Sequence, residues 1–221
     1  MKTSIVVAAS FVAALAAAAN AALVVTELQA QTTAGTASTI NGDWWELTNT
    51  GAASINLAGY QWADTEDALG GPTPQPNFFP AITIAAGESI IILEEAAANE
   101  AAFRTNWNLS SSVQILGTDE MLPSPGVTDT FSGLSSNGDG VFFYSPAGDL
   151  LSSYTYGAIT RGTTFEADRS GNNLGLSVIG ENGAYRAANN DIGSPATSVP
   201  APGAVALSAV ALAGLRRRRS A

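Results

Sequence analysis

The sequence predicts an all-β domain, a sandwich or barrel, occupying the middle of the chain. Short runs of β-branched and aromatic residues recur between clusters of Gly, Pro, Asn and Asp. Several of these runs alternate apolar and polar residues, the period of a strand with two distinct faces. Only Glu94 to Trp107 reads as a helix within that region.

The first stretch is Leu23 to Leu28, followed by a polar, small-residue loop from Gln29 to Gly42. Asp43 to Asn49 is the next strand. Trp45 and Leu47 fall on one face, and Trp44, Glu46 and Thr48 on the other. Asn49-Thr50-Gly51 turns the chain. In Ser54 to Asp64, Ile55 and Leu57 share a face, and beyond Gly59 the phase passes to Tyr60 and Trp62. A glycine at a phase change predicts a β-bulge. Glu66 to Asn77 carries glycines and three prolines and reads as a loop. Alternation returns in Phe79 to Ile84, and Ala86-Gly87-Glu88 is a turn. Ser89 to Leu93, with three isoleucines, predicts a central strand buried on both faces.

Glu94 to Trp107 is rich in Ala and Glu and lacks Pro and Gly. Acidic residues cluster at its start and Arg104 lies near its end, which complements a helix dipole. The expectation is one short helix packed across an end of the sandwich through Phe103 and Trp107. Val113 to Leu116 is a weak strand. Phe131 and Leu134 lead into a tight turn, Ser135-Ser136-Asn137-Gly138-Asp139-Gly140. Val141 to Tyr144 and Leu150 to Tyr156 flank Ser145-Pro146-Ala147-Gly148-Asp149, a hairpin with a five-residue loop. Arg161 to Ser198 is rich in Gly and Asn, and predicts one last short strand and then a stalk.

The two ends carry address signals. Lys2 precedes an uncharged run from Ile5 to Ala19, and Ala19-Asn20-Ala21 fits the small-x-small pattern of a signal-peptidase site. Residues 1–21 are therefore read as a helical export signal cut after Ala21, and 22–196 as the domain. Residues 197–221 are the tail: Val199-Pro200-Ala201-Pro202-Gly203, apolar Ala204 to Leu215, then Arg216, Arg217, Arg218 and Arg219. That short apolar helix has 12 residues, whereas a full span takes about 20. The arginines would stay cytoplasmic and leave the domain outside. Val199, Pro200 and Pro202, the short apolar stretch and the arginine cluster together resemble a PEP-CTERM sorting signal. The resemblance implies a membrane partner, at least transiently, and cleavage by an exosortase-like membrane protease. Ala201 stands where that family usually has glutamate. An ordinary C-terminal membrane anchor is the competing reading.

Between the two signals lie four arginines and all 19 acidic residues, a formal charge of −15. Such a surface lacks the basic footprint that nucleic acid requires, so no nucleic-acid partner is expected. It suits a protein kept soluble by repulsion and is compatible with cations. The chain has no cysteine and no histidine. Disulfides, Ser-His-Asp and Cys-His catalysis are excluded, and so is the commonest zinc ligand. No catalytic residue is assigned.

Asp43-Trp44-Trp45-Glu46-Leu47-Thr48-Asn49-Thr50-Gly51 is followed by Ile55-Asn56-Leu57-Ala58-Gly59-Tyr60-Gln61-Trp62. Then come Phe79-Pro80 to Ile84, Ala86-Gly87-Glu88, Leu134-Ser135-Ser136-Asn137-Gly138-Asp139 and the Val141 to Tyr156 hairpin. In this order the motifs resemble a lamin-tail domain of the exported bacterial kind. The resemblance implies an immunoglobulin-like antiparallel β-sandwich, in which Trp45, Leu47, Leu57 and Trp62 are core. Glu46, mid-strand among apolar neighbours, is either a solvent-facing carboxylate or a hydrogen-bond partner of a loop backbone.

Three functions follow as expectations. The first is a non-catalytic exported cell-surface or matrix module. The second is a calcium-dependent carbohydrate- or surface-binding domain, with Asp64, Glu66, Asp67 and Asp139 as candidate ligands in acidic loops. The third is an exported hydrolase using two carboxylates, although none is flanked by a recognisable motif.

Overall fold

The computed structural model describes residues 23–34, 43–66, 77–121 and 133–198. The expected export signal (residues 1–21), the part of the expected sorting tail from Val199 onward, Asp67 and Phe131 lie outside the described residues.

Two sheets stack face to face. The larger contains β1 (Leu23–Ala30), β2 (Asp43–Asn49), β7 (Ser89–Leu93), β8 (Gln114–Gly117), β11 (Phe165–Ala167) and β12 (Asn173–Leu176). Its order is β12-β11-β1-β2-β7-β8. The smaller holds β4 (Gln61–Ala63), β5 (Asn77–Phe78), β9 (Asp139–Tyr144) and β10 (Leu150–Tyr156), in the order β10-β9-β4-β5. Two small ribbons pair β3 (Ile55–Asn56) with β6 (Thr83–Ile84), and β13 (Tyr185–Arg186) with β14 (Ile192–Gly193). Neighbouring strands run antiparallel except β7 and β8, which are parallel. This is the immunoglobulin-like sandwich that the sequence predicts.

The alternation in β2 explains the layering. Trp45 and Leu47 point between the sheets, where they meet Trp62, Phe79, Val141 and Phe143. Trp45 sits at the centre, with ring centroids 5.2 Å from Trp62, 6.2 Å from Phe79 and 6.5 Å from Phe143. Each such side chain contributes about 1.5–3 kcal/mol by leaving water. Trp44 points the other way, into a second apolar cluster with Ile91, Leu93, Phe103, Trp107, Ile115 and Ala187. Both faces of the larger sheet are thus covered, and β7 is buried on both sides as its three isoleucines predict.

The second cluster corrects the placement of the helix. A 3-10 turn at Ala97–Asn99 leads into α1 (Glu100–Asn106). Phe103 and Trp107 lie edge-on to Trp44, at 5.5 and 5.8 Å. The helix therefore covers the outer face of the larger sheet, where Trp44 offers an apolar platform, and does not cross an end of the sandwich.

Gly59 is not a bulge. With φ of +80° it sits in a turn spanning Leu57 to Tyr60, where the chain leaves the β3–β6 ribbon and enters the smaller sheet as β4. The phase change in the sequence marks this change of sheet. Phe79 to Ile84 likewise divides, its front adjoining β5 and its end forming β6.

The largest correction concerns residues 161–198. They form four short strands, β11 to β14, rather than one strand and a stalk. The β13–β14 ribbon folds back over the larger sheet. Ala188 N donates to Asn106 O at the end of α1, and Ile192 N donates to Gly162 O. Tyr185 Oη donates to Trp107 O. Helix and C-terminal segment together make a third layer.

Candidate functional site

Three carboxylates face one another beneath that third layer. Glu46 of β2 stands directly across from Glu27 of β1, and Glu27 directly across from Glu166 of β11. All three are buried. Like charges opposite one another on adjacent strands destabilise a sheet, so this row needs compensation. Hydroxyls and backbone amides provide it. Glu46 Oε1 accepts from Thr26 Oγ1 at 2.6 Å and from Thr48 and Ser89 at 3.2 Å, and Glu46 Oε2 accepts Ala196 N at 2.5 Å. Glu27 Oε1 accepts from Thr164 Oγ1 and Ser194 N, at 2.6 and 2.7 Å. Glu166 accepts from Ser177 Oγ at 2.7 Å and Asn182 Nδ2 at 3.0 Å.

Glu46 is thus the backbone-bonded alternative of the two sequence readings. Its donor, Ala196, has φ of +65°, a conformation that a residue with a Cβ rarely adopts. The contact fixes the segment from Ser194 to Ser198. Gly193 lies so close that a Cβ there would stand 2.7 Å from Glu27 Oε1. Burial raises the Glu27 carboxyl well above the usual range, and the Glu46 charge adds to this. The Thr164 and Ser194 donors oppose both effects. Glu46 is also raised by burial, against the donors from Thr26, Ala196, Ser89 and Thr48.

A second acidic group lies where strand ends of both sheets meet. Asp43 opens β2, Glu94 follows β7, Asp64 follows β4 and Asp139 opens β9. Leu134 N donates to Asp43 Oδ2 at 3.1 Å, and Ser135 N to Asp139 Oδ2 at 2.8 Å. Glu94 is buried, and neither of its carboxylate oxygens has a hydrogen-bond partner. Burial, then the charges of Asp43, Asp64 and Asp139, hold Glu94 well above the ordinary carboxylate range. Burial pushes Asp43 up to about 7, with Glu95 and Asp139 adding to it and the Leu134 amide opposing.

Of the four calcium candidates read from sequence, Asp64 and Asp139 come to this end of the fold. Glu66 is tied through its carbonyl, which accepts Tyr144 Oη at 2.5 Å, and Asp67 lies outside the described residues. Among the described residues, no three acidic side chains converge on a single metal-sized point. Sequence reasoning missed Asp43 and Glu94 because each passes for an ordinary element terminus. A carboxylate directly after a strand buried on both faces was the available signal.

These groups set a pH dependence. A carboxyl raised in the folded state contributes stability that is complete below its unfolded pKa and is lost as pH rises through the folded value. For Asp43 that window runs from about 4 to 7. Glu27 and Glu94 extend the loss upward. Asp168 works in the opposite sense: burial raises it, but donors from Asn172 and Ser170 outweigh burial, so it favours the fold once ionised. The net expectation is a higher urea midpoint at pH 5 than at pH 8. Asp43→Asn should reduce the difference, and an equal or higher midpoint at pH 8 would contradict the balance described.

An open concavity lies elsewhere among the described residues. A polar groove of about 400 Å³ lies between Glu88, Ser89, Gln114, Arg169 and Ser198. Arg169 Nε donates to Ser198 Oγ at 2.9 Å, and its Nη2 donates to Gly87 O. Among the described residues no helix is long and apolar enough to cross a membrane.

No curated protein matches the chain. The family model of the Lamin Tail Domain matches residues 16–158, more than half of the sequence. The match ends before β11, so the carboxylate row draws two members from inside it and Glu166 from beyond. With the two stacked sheets, the Trp44-Trp45-Glu46-Leu47 strand at their centre and this match, the chain belongs to the lamin tail domain family.

Proposed function

We propose that this chain is a non-catalytic, exported cell-surface or extracellular-matrix module, delivered by an N-terminal signal and sorted through its C-terminal tail. The observation that carries the reading is the position of the tail box. The fold continues as one packed body to Ser198, which Arg169 holds, and Val199-Pro200-Ala201-Pro202 follows at once. The sandwich is then the cargo, and the short apolar stretch with Arg216 to Arg219 is its label.

The chemistry of the buried groups supports a binding or scaffolding role. Without histidine or cysteine, carboxylates are the available acid–base groups for covalent chemistry. The three that face one another are covered by Gly193, Ser194 and Ala196 and spend their oxygens on the fold. A glycosidase pair needs its carboxylates open to a sugar.

The test is the intact mass of the protein recovered from its native cells. The expected mass lacks residues 1–21 and also the apolar run with its arginines. A mass that retains Arg216 to Arg219 would contradict sorting by cleavage, and one that retains residues 1–21 would contradict export through a cleaved signal.

A further inference from the structure

We propose that Glu27 and Glu166 share one buried proton, and that this proton fastens the C-terminal layer to the larger sheet with a tie that loosens as pH rises. The hydroxyl protons between the two carboxylates are too few for the contacts they make. Glu27 Oε1, Thr164 Oγ1, Ser177 Oγ and Glu166 Oε1 form a chain with successive separations of 2.6, 2.5 and 2.7 Å. These are hydrogen-bond distances for pairs of oxygens, so each link needs a proton. Thr164 and Ser177 own one hydroxyl proton each, and an ionised carboxylate owns none. With Thr164 donating to Glu27 and Ser177 to Glu166, the two hydroxyl oxygens face each other at 2.5 Å with no proton between them. A proton on either carboxyl completes the chain, running in one direction or the other. The chain on Glu46 differs. Its links to Thr26, from Thr26 to Thr48 and from Thr48 to Ser89, at 2.6, 2.8 and 2.7 Å, are matched by three hydroxyls and call for no carboxyl proton.

Ser194 joins the same two carboxylates from another side. Its hydroxyl lies 3.2 Å from Glu27 Oε2 and 3.2 Å from Glu166 Oε1. Glu27, Thr164, Glu166, Ser177 and Ser194 therefore close a ring of five contacts, to which the hydroxyls bring three protons. All five side chains are buried, and the two carboxylates are direct cross-strand partners. Two ionised carboxylates in one buried site repel, and sharing a proton relieves that repulsion. The ring spans Glu27 in β1, Thr164 and Glu166 at β11, Ser177 just beyond β12 and Ser194 just beyond β14, so it fastens the C-terminal segment at several points.

The groups around the pair do not neutralise it. Glu46 approaches from β2, and Tyr185 from β13. Tyr154 of β10 donates to Glu166 O. Asp191, ahead of β14, is held by Gln29 and Thr33. Arg186 of β13 is exposed and donates to Asn190 O. Burial, then the Glu46 charge, raises the Glu27 carboxyl, in the same sense as the proton count. Glutamates of the unfolded chain titrate near about 4.3. The tie is complete below that value and is lost as pH rises through the higher folded value of the pair.

Glu166→Gln is the informative variant. Its Nε2 carries two protons, one for Ser177 and one for Ser194. Ser177 then donates to Thr164, and Thr164 and Ser194 both donate to an ionised Glu27. Every contact of the ring is filled without a carboxyl proton, and the amide carbonyl still accepts Asn182 Nδ2. Carbon-13 NMR of the glutamate Cδ atoms in the full chain reads protonation directly. In the unmodified protein at pH 6, the Glu27 and Glu166 signals should together account for one bound proton and should move in step as pH rises. In Glu166→Gln at pH 6, Glu27 should be ionised. Between pH 5 and 7 the unfolding constant of the unmodified protein should grow relative to that of Glu166→Gln by up to about tenfold per pH unit, the signature of one proton. Two ionised signals in the unmodified protein at pH 6 would overturn the proposal, and this reading needs no variant. So would a Glu27 that stays protonated in Glu166→Gln, because burial alone would then hold the proton.

Discussion

Trp45→Ala is expected to lower the unfolding free energy by about 3–5 kcal/mol, the range for deleting a large aromatic from a packed core. Trp45 is fully buried and its ring meets three other aromatic rings across the interface, Trp62 of β4, Phe143 of β9 and Phe79 just after β5. Removing it leaves a void that rigid neighbours close only in part. Domains are stable by roughly 5–15 kcal/mol, so this one change consumes a large share. Trp45→Phe should cost much less, about 1–2 kcal/mol. It retains an aromatic ring and deletes an indole N–H that has no partner. Urea unfolding of the two variants measures the difference. If Trp45→Ala cost under about 1 kcal/mol, the sheets would not be packed around this residue.

The second large effect is expected at Glu46. Glu46→Ala removes the shared acceptor of Thr26, Thr48 and Ser89 and strands the Ala196 amide. A buried polar group left unpaired costs about 1–3 kcal/mol, and several are involved, so the loss should reach about 3 kcal/mol or more. Glu46→Gln should be mild, because its carbonyl can accept the Ala196 amide and its NH2 can donate to the hydroxyls. The two variants also differ in a local readout. Without its acceptor, Ala196 no longer holds its positive φ, and the segment from Ser194 to Ser198 should become sensitive to a non-specific protease in Glu46→Ala only. Equal protease resistance in both variants would show that the segment is held by other contacts.

The parts of the fold legible in sequence are those that the hydrophobic period dictates. Asp43 to Asn49 and Ser89 to Leu93 have the strand bounds read from sequence, and the Val141 to Tyr156 hairpin differs only by starting two residues earlier, at Asp139. Each is long enough to show its pattern. The C-terminal segment was illegible for the opposite reason. Its strands are two to four residues long, rich in Gly and Asn, and held by hydrogen bonds to Glu27 and Glu46 far away in sequence. No local period announces such pairing. The helix was legible from its end charges, but its resting place was not, because Trp44 reveals an apolar outer face only when Phe103 and Trp107 lie on it.

The candidate site divides in the same way. Asp64 and Asp139 stood out as acidic loop residues. Asp43 and Glu94 did not, since a carboxylate at the start of a strand or helix is unremarkable until packing buries it. Glu46 was recognisable as an anomaly from its apolar neighbours, and the long-range bond to Ala196 gives that anomaly its physical reason.

Native-state hydrogen exchange tests most directly whether the C-terminal layer is an integral part of this sandwich. The Ser194 and Ala196 amides, bonded to Glu27 and Glu46, should be protected to nearly the same degree as Ile91 in β7, opening only with global unfolding. Exchange of those two amides at the rate of an open loop, with Ile91 still protected, would show that residues 192–198 are a detached tail and that the carboxylate row does not hold them.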